Sequence, residues 1–252
     1  MTRAAREAQV WVRDLTEAGL DAVALPLIEI RPVTDTSSLQ QVWKDIAQYA
    51  AVMFVSANAV DGFFAAGSAG AFKSRAWATG PGTVAALERA GVCANQIEAP
   101  ASNAKQFDSE ALWQRVSTSI QTKDRVLIVR GTSSLDVPAA QGVGRDWLAQ
   151  RLTQAGATVD FLASYQRLRP ELDAKQLELA QAAVADGAVW LFSSSEAVSN
   201  LQQAMPAQNW TAARALATHA RIASAARQAG FGRVLETRPL LADIVASIES
   251  LT

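Results

Sequence analysis

The sequence predicts an α/β protein of two flavodoxin- or Rossmann-like lobes, each built on a parallel sheet. Three observations carry this expectation: an internal repeat with a period near 138 residues, short apolar segments alternating with helical ones, and glycine-bearing turns between them. Leu15-Thr16-Glu17-Ala18-Gly19 returns as Leu152-Thr153-Gln154-Ala155-Gly156, an offset of 137. Ser56-Ala57-Asn58-Ala59-Val60 returns as Ser194-Ser195-Glu196-Ala197-Val198 at 138, and Ala78-Thr79 as Ala217-Thr218 at 139. Blocks in the same order with a slowly drifting offset describe a tandem duplication of a domain; a solenoid has a much shorter period.

Ala8, Trp11, Val12 and Leu15 are spaced as one helical face over residues 5–18, and Gly19 stops that helix. Asp21–Ile30 then reads as a buried strand ending at Arg31-Pro32. Ala51–Val55 is an apolar run of strand length, followed by a helix over Ala59–Ala66. Arg75–Thr79 is the next strand, Thr83–Ala90 a helix closed by Gly91, Gln96–Ala99 a strand and Ser109–Val116 a helix. The second copy opens on Arg125-Val126-Leu127-Ile128-Val129, the clearest strand of the chain, with a helix over Trp147–Ala155 and a strand over Val159–Arg167. Ala188–Phe192, Ala215–Thr218 and Val234–Glu236 supply the later strands, and Leu241–Leu251 the last helix. Pro32–Ser38 and Leu168–Asp173 are polar, proline-containing stretches at equivalent places and read as inter-lobe linkers. Thr132–Gly144, rich in Gly, Ala and Ser, reads as an insertion between a strand and its helix.

Composition narrows the function. The chain has 252 residues, is 50% apolar and 19% charged, and carries a net charge of −1, so it can bury a core and lacks the basic footprint of a nucleic-acid binder. One cysteine, Cys93, and one histidine, His219, exclude an internal disulfide, a thiolate cluster and a multi-histidine zinc site. No apolar run approaches the ~18 residues that span a bilayer, and no signal peptide opens the chain, so a cytoplasmic protein is expected. Its 23 basic residues are mostly arginine, the side chain that grips carboxylates bidentately.

In open α/β sheets ligands bind where strands turn into helices, and the repeated blocks fall on those turns. Gly80-Pro81-Gly82-Thr83 can cradle an anion on backbone N–H groups with Thr83 as a hydroxyl donor; a plain tight turn with Thr83 as helix cap is the alternative. It has no lysine for a phosphate loop and no third glycine for a dinucleotide fingerprint. Ser56-Ala57-Asn58 and Ser193-Ser194-Ser195 are hydroxyl- and amide-rich turns of the kind that cap helices. Arg130-Gly131 sets a guanidinium at the end of the best strand, with Arg3 as its counterpart. Tyr165 interrupts an apolar strand beside a linker, as a core tyrosine or as a functional one. His219 occupies the place of Gly80 in the second copy. These residues suit a flexible polycarboxylate.

The ordered blocks resemble the uroporphyrinogen-III synthase family. They are Thr2-Arg3, Pro26-Leu27-Ile28, Phe54–Val60, Gly80–Thr83, Asp108–Leu112, Val126–Gly131, Gly144–Leu148, Gly156–Tyr165, Phe192-Ser193-Ser194 and His219–Ala223 through Gly230-Phe231. The resemblance spans essentially the whole chain. It implies two lobes joined by a two-stranded linker with the active site between them: residues 1–31 plus 171–252, and 33–168. The repeat alone suggests a cut near residue 122. The substrate implied is hydroxymethylbilane, which is dehydrated and cyclised with inversion of ring D to uroporphyrinogen III, on the way to heme, without cofactor or metal. A monomer is implied, with hydroxymethylbilane synthase as a transient partner. By resemblance Tyr165 assists departure of the hydroxyl. Ser56, Asn58, Gly80, Gly82, Thr83, Gly131 and Ser194 belong to substrate-contacting turns, and Arg3, Arg130 and Arg145 pair with carboxylates. Two departures stand out. His219-Ala220-Arg221-Ile222 replaces a Gly-Pro-Thr-Thr turn, so that His219 and Arg221 take the place of a hydroxyl pair. Only Met1 precedes Thr2-Arg3 where the family has an apolar strand, so one lobe is expected to lack a core strand or to pair differently. The rival expectation is a non-catalytic, two-lobed anion-binding or regulatory protein of the same fold.

Overall fold

The computed structural model describes residues 1–101, 104, 106–133 and 143–251, with residues 133 and 143–146 described through their backbone alone. The chain divides into two compact units, residues 1–29 with 168–252 and residues 30–167. It leaves the first unit once and returns once.

Residues 30–167 hold most of a six-stranded sheet of order β1-β6-β5-β2-β3-β4, whose strands are β1 (Glu29–Pro32), β2 (Ala51–Phe54), β3 (Arg75–Ala78), β4 (Ile97–Glu98), β5 (Arg125–Ser133) and β6 (Thr158–Leu168). The pairings β6–β5, β5–β2, β2–β3 and β3–β4 are all parallel. β2 and the first half of β5 are buried on both faces, which is why Ala51–Phe54 and Val126–Val129 read as unbroken apolar runs. One face packs α3 (Ala57–Phe64) and α4 (Pro81–Arg89) over Phe54, Leu127, Val129 and Leu162, with α2 (Ser37–Lys44) at its margin. The other packs α5 (Ser109–Val116) and α6 (Val143–Gln154) over Met53, Trp77, Val126 and Ile128. Counted from β5, the order is strand two, one, three, four, five, the flavodoxin arrangement. Its first two strands come from the second copy of the repeat and its last three from the first.

The other unit is the complement. A three-stranded parallel sheet, β7 (Val189–Phe192), β8 (Arg214–Ala217) and β9 (Arg233–Glu236), is flanked by α1 (Ala5–Glu17), α7 (Ala174–Ala185), α8 (Ser195–Ala204), α9 (Ala220–Gln228) and α10 (Leu241–Glu249). The place that β5 fills in its sister is held by two residues. Thr2 N–H donates to the Leu191 carbonyl at 3.3 Å on one side. On the other, Leu25 N–H donates to Met1 and Leu27 N–H to Thr2, at 2.9 and 3.3 Å. The buried Thr2 hydroxyl adds a 2.7 Å bond to Leu191. So the expected strand over Asp21–Ile30 is corrected: only Glu29–Pro32 is regular strand, and residues 21–28 take no regular secondary structure, Leu25 and Leu27 bonding to Met1 and Thr2. Leu25 and Leu27 still point into the core with Trp190, Phe192 and Phe231.

Other corrections are local. Ser37–Lys44, inside and beyond the first expected linker, is helical, and so is Ala174–Ala185, which Asp173 and Gln176 open with a reciprocal capping box. The expected insertion at Thr132–Gly144 begins within β5 and otherwise lies outside the described residues, or in the first backbone-only turn of α6.

At the amino ends of the strands Arg125 stacks over the Tyr49 ring at 4.7 Å and binds Asp160 at 2.7 Å, while the Tyr49 hydroxyl donates to the same carboxylate at 3.0 Å. Tyr49 is 6% exposed, and burial, then the bond to Asp160, pushes its pKa up to about 12. A phenol held above its unfolded value adds stability that is complete below pH ~10 and is lost as pH rises through the folded value. In a Tyr165→Phe variant, which leaves Tyr49 as the one tyrosine, the tyrosinate absorbance step is expected near pH 12, with alkaline unfolding alongside it. A step near pH ~10 in the folded protein would contradict the arrangement.

Candidate functional site

Because every strand pair in the larger sheet from β6 to β4 is parallel, all these carboxyl ends lie on one edge, and the polar turns gather there. Ser56 follows β2 and caps α3, its Oγ accepting from Ala59 N–H at 3.2 Å. The same Oγ lies 3.0 Å from the hydroxyl of Tyr165 on β6. Asn58 is half-buried in the first turn of α3. Gly80 caps α4 without any side-chain oxygen, Pro81 opens the helix, and Thr83 sits 5% exposed one turn in. Thr83 is therefore not the cap that the plain-turn alternative requires. A Cβ on Gly82 would meet nothing within 4 Å, and one on Gly80 would touch only Phe107 at ordinary distance. Neither glycine is demanded by packing or by a positive φ, so the bare backbone of this turn is a feature of the surface it presents.

Tyr165 owes its direction to a β-bulge. Residues pair Arg130 with Ala163 and then Gly131 with Tyr165, leaving Ser164 without a partner on β5. Up to that point even-numbered residues of β6 face α3 and odd-numbered ones face away, as Leu162 and Val159 show. The extra residue turns Tyr165 onto the α3 face, into the core cluster of Phe54, Val129 and Leu162. Its ring lies over Gly131, where a Cβ would stand 2.5 Å from both Cε2 and Cζ. The tyrosine is thus both a core residue, 5% exposed, and the bearer of a hydroxyl that shares a hydrogen bond with Ser56 at the sheet's carboxyl edge. Arg130, one residue earlier, points to the opposite face and stacks over the half-exposed Phe161 ring at 4.8 Å. The side chain of Arg145 lies outside the described residues.

The three-stranded sheet has its own edge. Ser194 caps α8, its Oγ accepting from Glu196 N–H at 3.2 Å. His219 caps α9 as Gly80 caps α4: Nδ1 accepts from Arg221 N–H at 3.1 Å, which puts the imidazole proton on Nε2. Arg221 is exposed. Arg3 follows Thr2 at the same edge, pairs with Glu7 at 3.2 Å and stacks over Trp11 at 5.2 Å, and its Nε is buried without a partner. A further cluster lies after β9, outside the residues singled out from the sequence. Arg238 grips Asp243 through two bonds of 2.7 and 3.2 Å, and Ser247 donates to Thr237 at 3.0 Å, beside an open hollow of about 380 Å³. The Thr237-Arg238 pair after β9 repeats Thr2-Arg3, and that repetition was the legible signal. No group of His, Cys, Asp and Glu among the described residues is placed to hold a metal, and no helix there is long and apolar enough to cross a membrane.

Parallel α/β units whose strands run into capped helices define the doubly wound α/β class, in which ligands generally meet the chain at the carboxyl edge of the sheet. A sequence model described as uroporphyrinogen-III synthase HemD matches residues 9–246. This chain belongs to the uroporphyrinogen-III synthase family. A uroporphyrinogen-III synthase of Chlorobaculum parvum is 28% identical over 185 residues, which are 70% of this chain and 66% of that protein's length. Among solved structures, a mutant uroporphyrinogen III synthase of Thermus thermophilus superposes over 100% of this chain and 98% of its own, with TM-score 0.56 and 16% identity. The uroporphyrinogen-III synthetase of Helicobacter pylori covers 90% of this chain and 91% of its own, with TM-score 0.57 and 13% identity. At these identities the two structures speak for the fold, including its two-lobed α/β form.

Gly131→Ala is expected to cost about 1–3 kcal/mol, because the new methyl overlaps the Tyr165 ring and the sheet cannot move away. Urea denaturation checks this, and in a Tyr165→Ala background, itself less stable, Gly131→Ala should add little further loss.

Proposed function

We propose that this chain is a working uroporphyrinogen-III synthase, converting hydroxymethylbilane to uroporphyrinogen III by dehydration, inversion of ring D through a spiro intermediate, and ring closure. The observation that carries the reading is the Tyr165 hydroxyl, held at the carboxyl edge of the sheet by Ser56, in a chain matched by the family along nearly its whole length. The terminal C–O bond of the bilane breaks with the push of the pyrrole nitrogen, and the phenol gives its proton to the departing hydroxyl, so that water leaves. The azafulvene that remains is attacked by a pyrrole carbon, and the proton lost as the ring system closes returns to the phenolate. Ser56, whose Oγ accepts from Ala59 N–H, can donate its own proton to the Tyr165 oxygen. In that orientation the phenolic hydrogen is left free to be given to the substrate.

The bilane closes unaided to the uninverted isomer, so the protein's main task is geometry. The first turn of α4, the capping residues Ser194 and His219, and the guanidinium groups of Arg3, Arg130, Arg145 and Arg221 are the groups we assign to the substrate's carboxylates. Hydroxymethylbilane synthase is the source of that substrate and, on this reading, a transient partner. No cofactor enters the scheme.

Tyr165→Phe keeps the ring and its packing, and kcat is expected to fall about 10²-fold, at the low end for a general acid, with the product shifting toward the type I isomer. A coupled assay from porphobilinogen and its deaminase, with type I and type III separated after oxidation, reads both. A folded variant with unchanged rate and pure type III product would remove the phenol from the chemistry. A wild-type chain that yields only type I would leave the non-catalytic reading.

Gly82→Ala separates binding from folding. The new methyl enters open space in the first turn of a helix, so stability should stay level or rise by up to ~0.5 kcal/mol. If the bare turn receives a carboxylate, KM should rise several-fold with kcat little changed; an unchanged KM would free that turn of the role.

A further inference from the structure

We propose that Ser164 and Gly62 are positioning residues: together they lock the bulge of β6 against α3 and so hold the Tyr165 hydroxyl on Ser56. The proposal rests on the assignment of Tyr165 to the chemistry, but its geometry stands apart from it. Between Thr158 and Arg167, Ser164 is the residue that the pairing with β5 skips, and it is 2% exposed. Its Oγ donates to the carbonyl of Ala59 at 3.1 Å. The N–H of that same Ala59 donates to Ser56 Oγ. One residue of α3 is therefore held at both ends, by the helix cap on one side and by the bulge on the other. The Ser56–Tyr165 contact of 3.0 Å closes the circuit through the next residue of β6.

Gly62 makes the approach possible. A Cβ there would overlap the Ser164 carbonyl oxygen and stand 2.9 Å from the carbonyl carbon. Neither is the far end of a side chain that could swing away. Its backbone is not in the left-handed region, so glycine is required here by contact alone.

The consequence follows from strand alternation. With Ser164 in register on β5, Tyr165 would return to the α5–α6 face, where Phe161 and Ala163 already point, and its hydroxyl would leave Ser56. The Ser164 hydroxyl is the side-chain bond that ties the extra residue to the helix. A bulge beside a site that re-aims one side chain is a common use of the device. Nothing in Ser164 or Gly62 reaches the rim itself; both act through Tyr165.

The test uses the whole chain, labelled with ¹³Cζ-tyrosine. With Tyr49 and Tyr165 as the two tyrosines, two resonances result, assigned by Tyr165→Phe. Ser164→Ala is expected to shift the Tyr165 resonance and leave that of Tyr49 in place. In the coupled assay kcat should fall about tenfold with KM nearly constant and more type I product, as for a small misplacement of a catalytic group. In a Tyr165→Phe background the same substitution should change kcat by less than about twofold, because there is no hydroxyl left to misplace. A Tyr165 resonance that does not move, or an equal loss of kcat in both backgrounds, would overturn the proposal. Should Tyr165→Phe alone leave the rate unchanged, the acid assignment falls, while the resonance still decides whether Ser164 holds the ring. If Ser164→Ala does not fold, Ser164→Cys, similar in volume and a weaker donor, carries the same measurements.

Discussion

The parallel pairing of β5 with β2 on one side and β6 on the other is the constraint on which the larger unit depends. A parallel ladder puts every carboxyl end on one edge, and it sets which face each side chain takes. Ser56, the α4 turn, Gly131 and Tyr165 arrive at a common edge from well-separated stretches of chain for that reason. The core follows from the same pairing. Val126 and Ile128 serve one face, Leu127 and Val129 the other, and each helix covers the side its neighbouring strand presents. In the described pairing of β5 with β6 the alternation breaks at Ser164, and that break sets a buried aromatic ring on the α3 face with its hydroxyl 3.0 Å from Ser56 Oγ.

In the smaller sheet Met1 and Thr2 lie between Leu191 and the segment that carries Leu25 and Leu27. Met1 and Thr2 offer two carbonyls and one N–H to their neighbours, and the Thr2 hydroxyl adds a fourth bond to Leu191. The amino group of Met1 donates to the Val23 carbonyl at 2.7 Å, and burial lowers its pKa to about 6. The rest of the stabilisation comes from the apolar layers: Leu15, Leu191, Leu216, Ile244 and Leu251 on one side, and the stacked and edge-on rings of Trp190, Phe192, Trp210 and Phe231 on the other. Such rings bury large areas and prefer offset or T-shaped contacts, so they supply cohesion that does not depend on the length of any strand.

Much of this was legible in the chain. The duplicated blocks located the helix caps Ser56 and Ser194, because a serine after an apolar strand has both the right residue type and the right place, whereas His219 was legible only as the counterpart of Gly80 and its capping bond comes from the structure. β5 was clear because Val126–Val129 is apolar on both faces. What escaped had physical reasons. Asp21–Ile30 has the composition of a strand, but a strand exists only along the length its partner offers, and that length is not written in the segment itself. The helix over Ala174–Ala185 has small and polar residues on most of its surface, and its one sharp signal, Asp173 with Gln176, sits where a proline-containing linker had been expected. The bulge at Ser164 was invisible, since period-two alternation assigns Tyr165 to the wrong face and only the register with β5 shows otherwise.

Two of the arginines proposed to meet the substrate's carboxylates, one in each unit, are each stacked on an aromatic ring. A free guanidinium loses much side-chain entropy when it settles on a carboxylate. Arg130 lies over Phe161 and Arg3 over Trp11, so each is held by its face before any ligand arrives. A stacked guanidinium keeps its N–H groups in the plane of the fork, pointing past the edge of the ring, where a carboxylate can meet them. Arg3 already commits one of those groups to Glu7, which fixes it further and reduces its net charge at short range. Helix N-termini complete the set with donors that carry no full charge and need no counter-ion when empty. On the proposed function, each unit would offer such groups to carboxylates singly, without gathering a dense positive patch. That agrees with a chain whose 23 basic and 24 acidic residues nearly cancel.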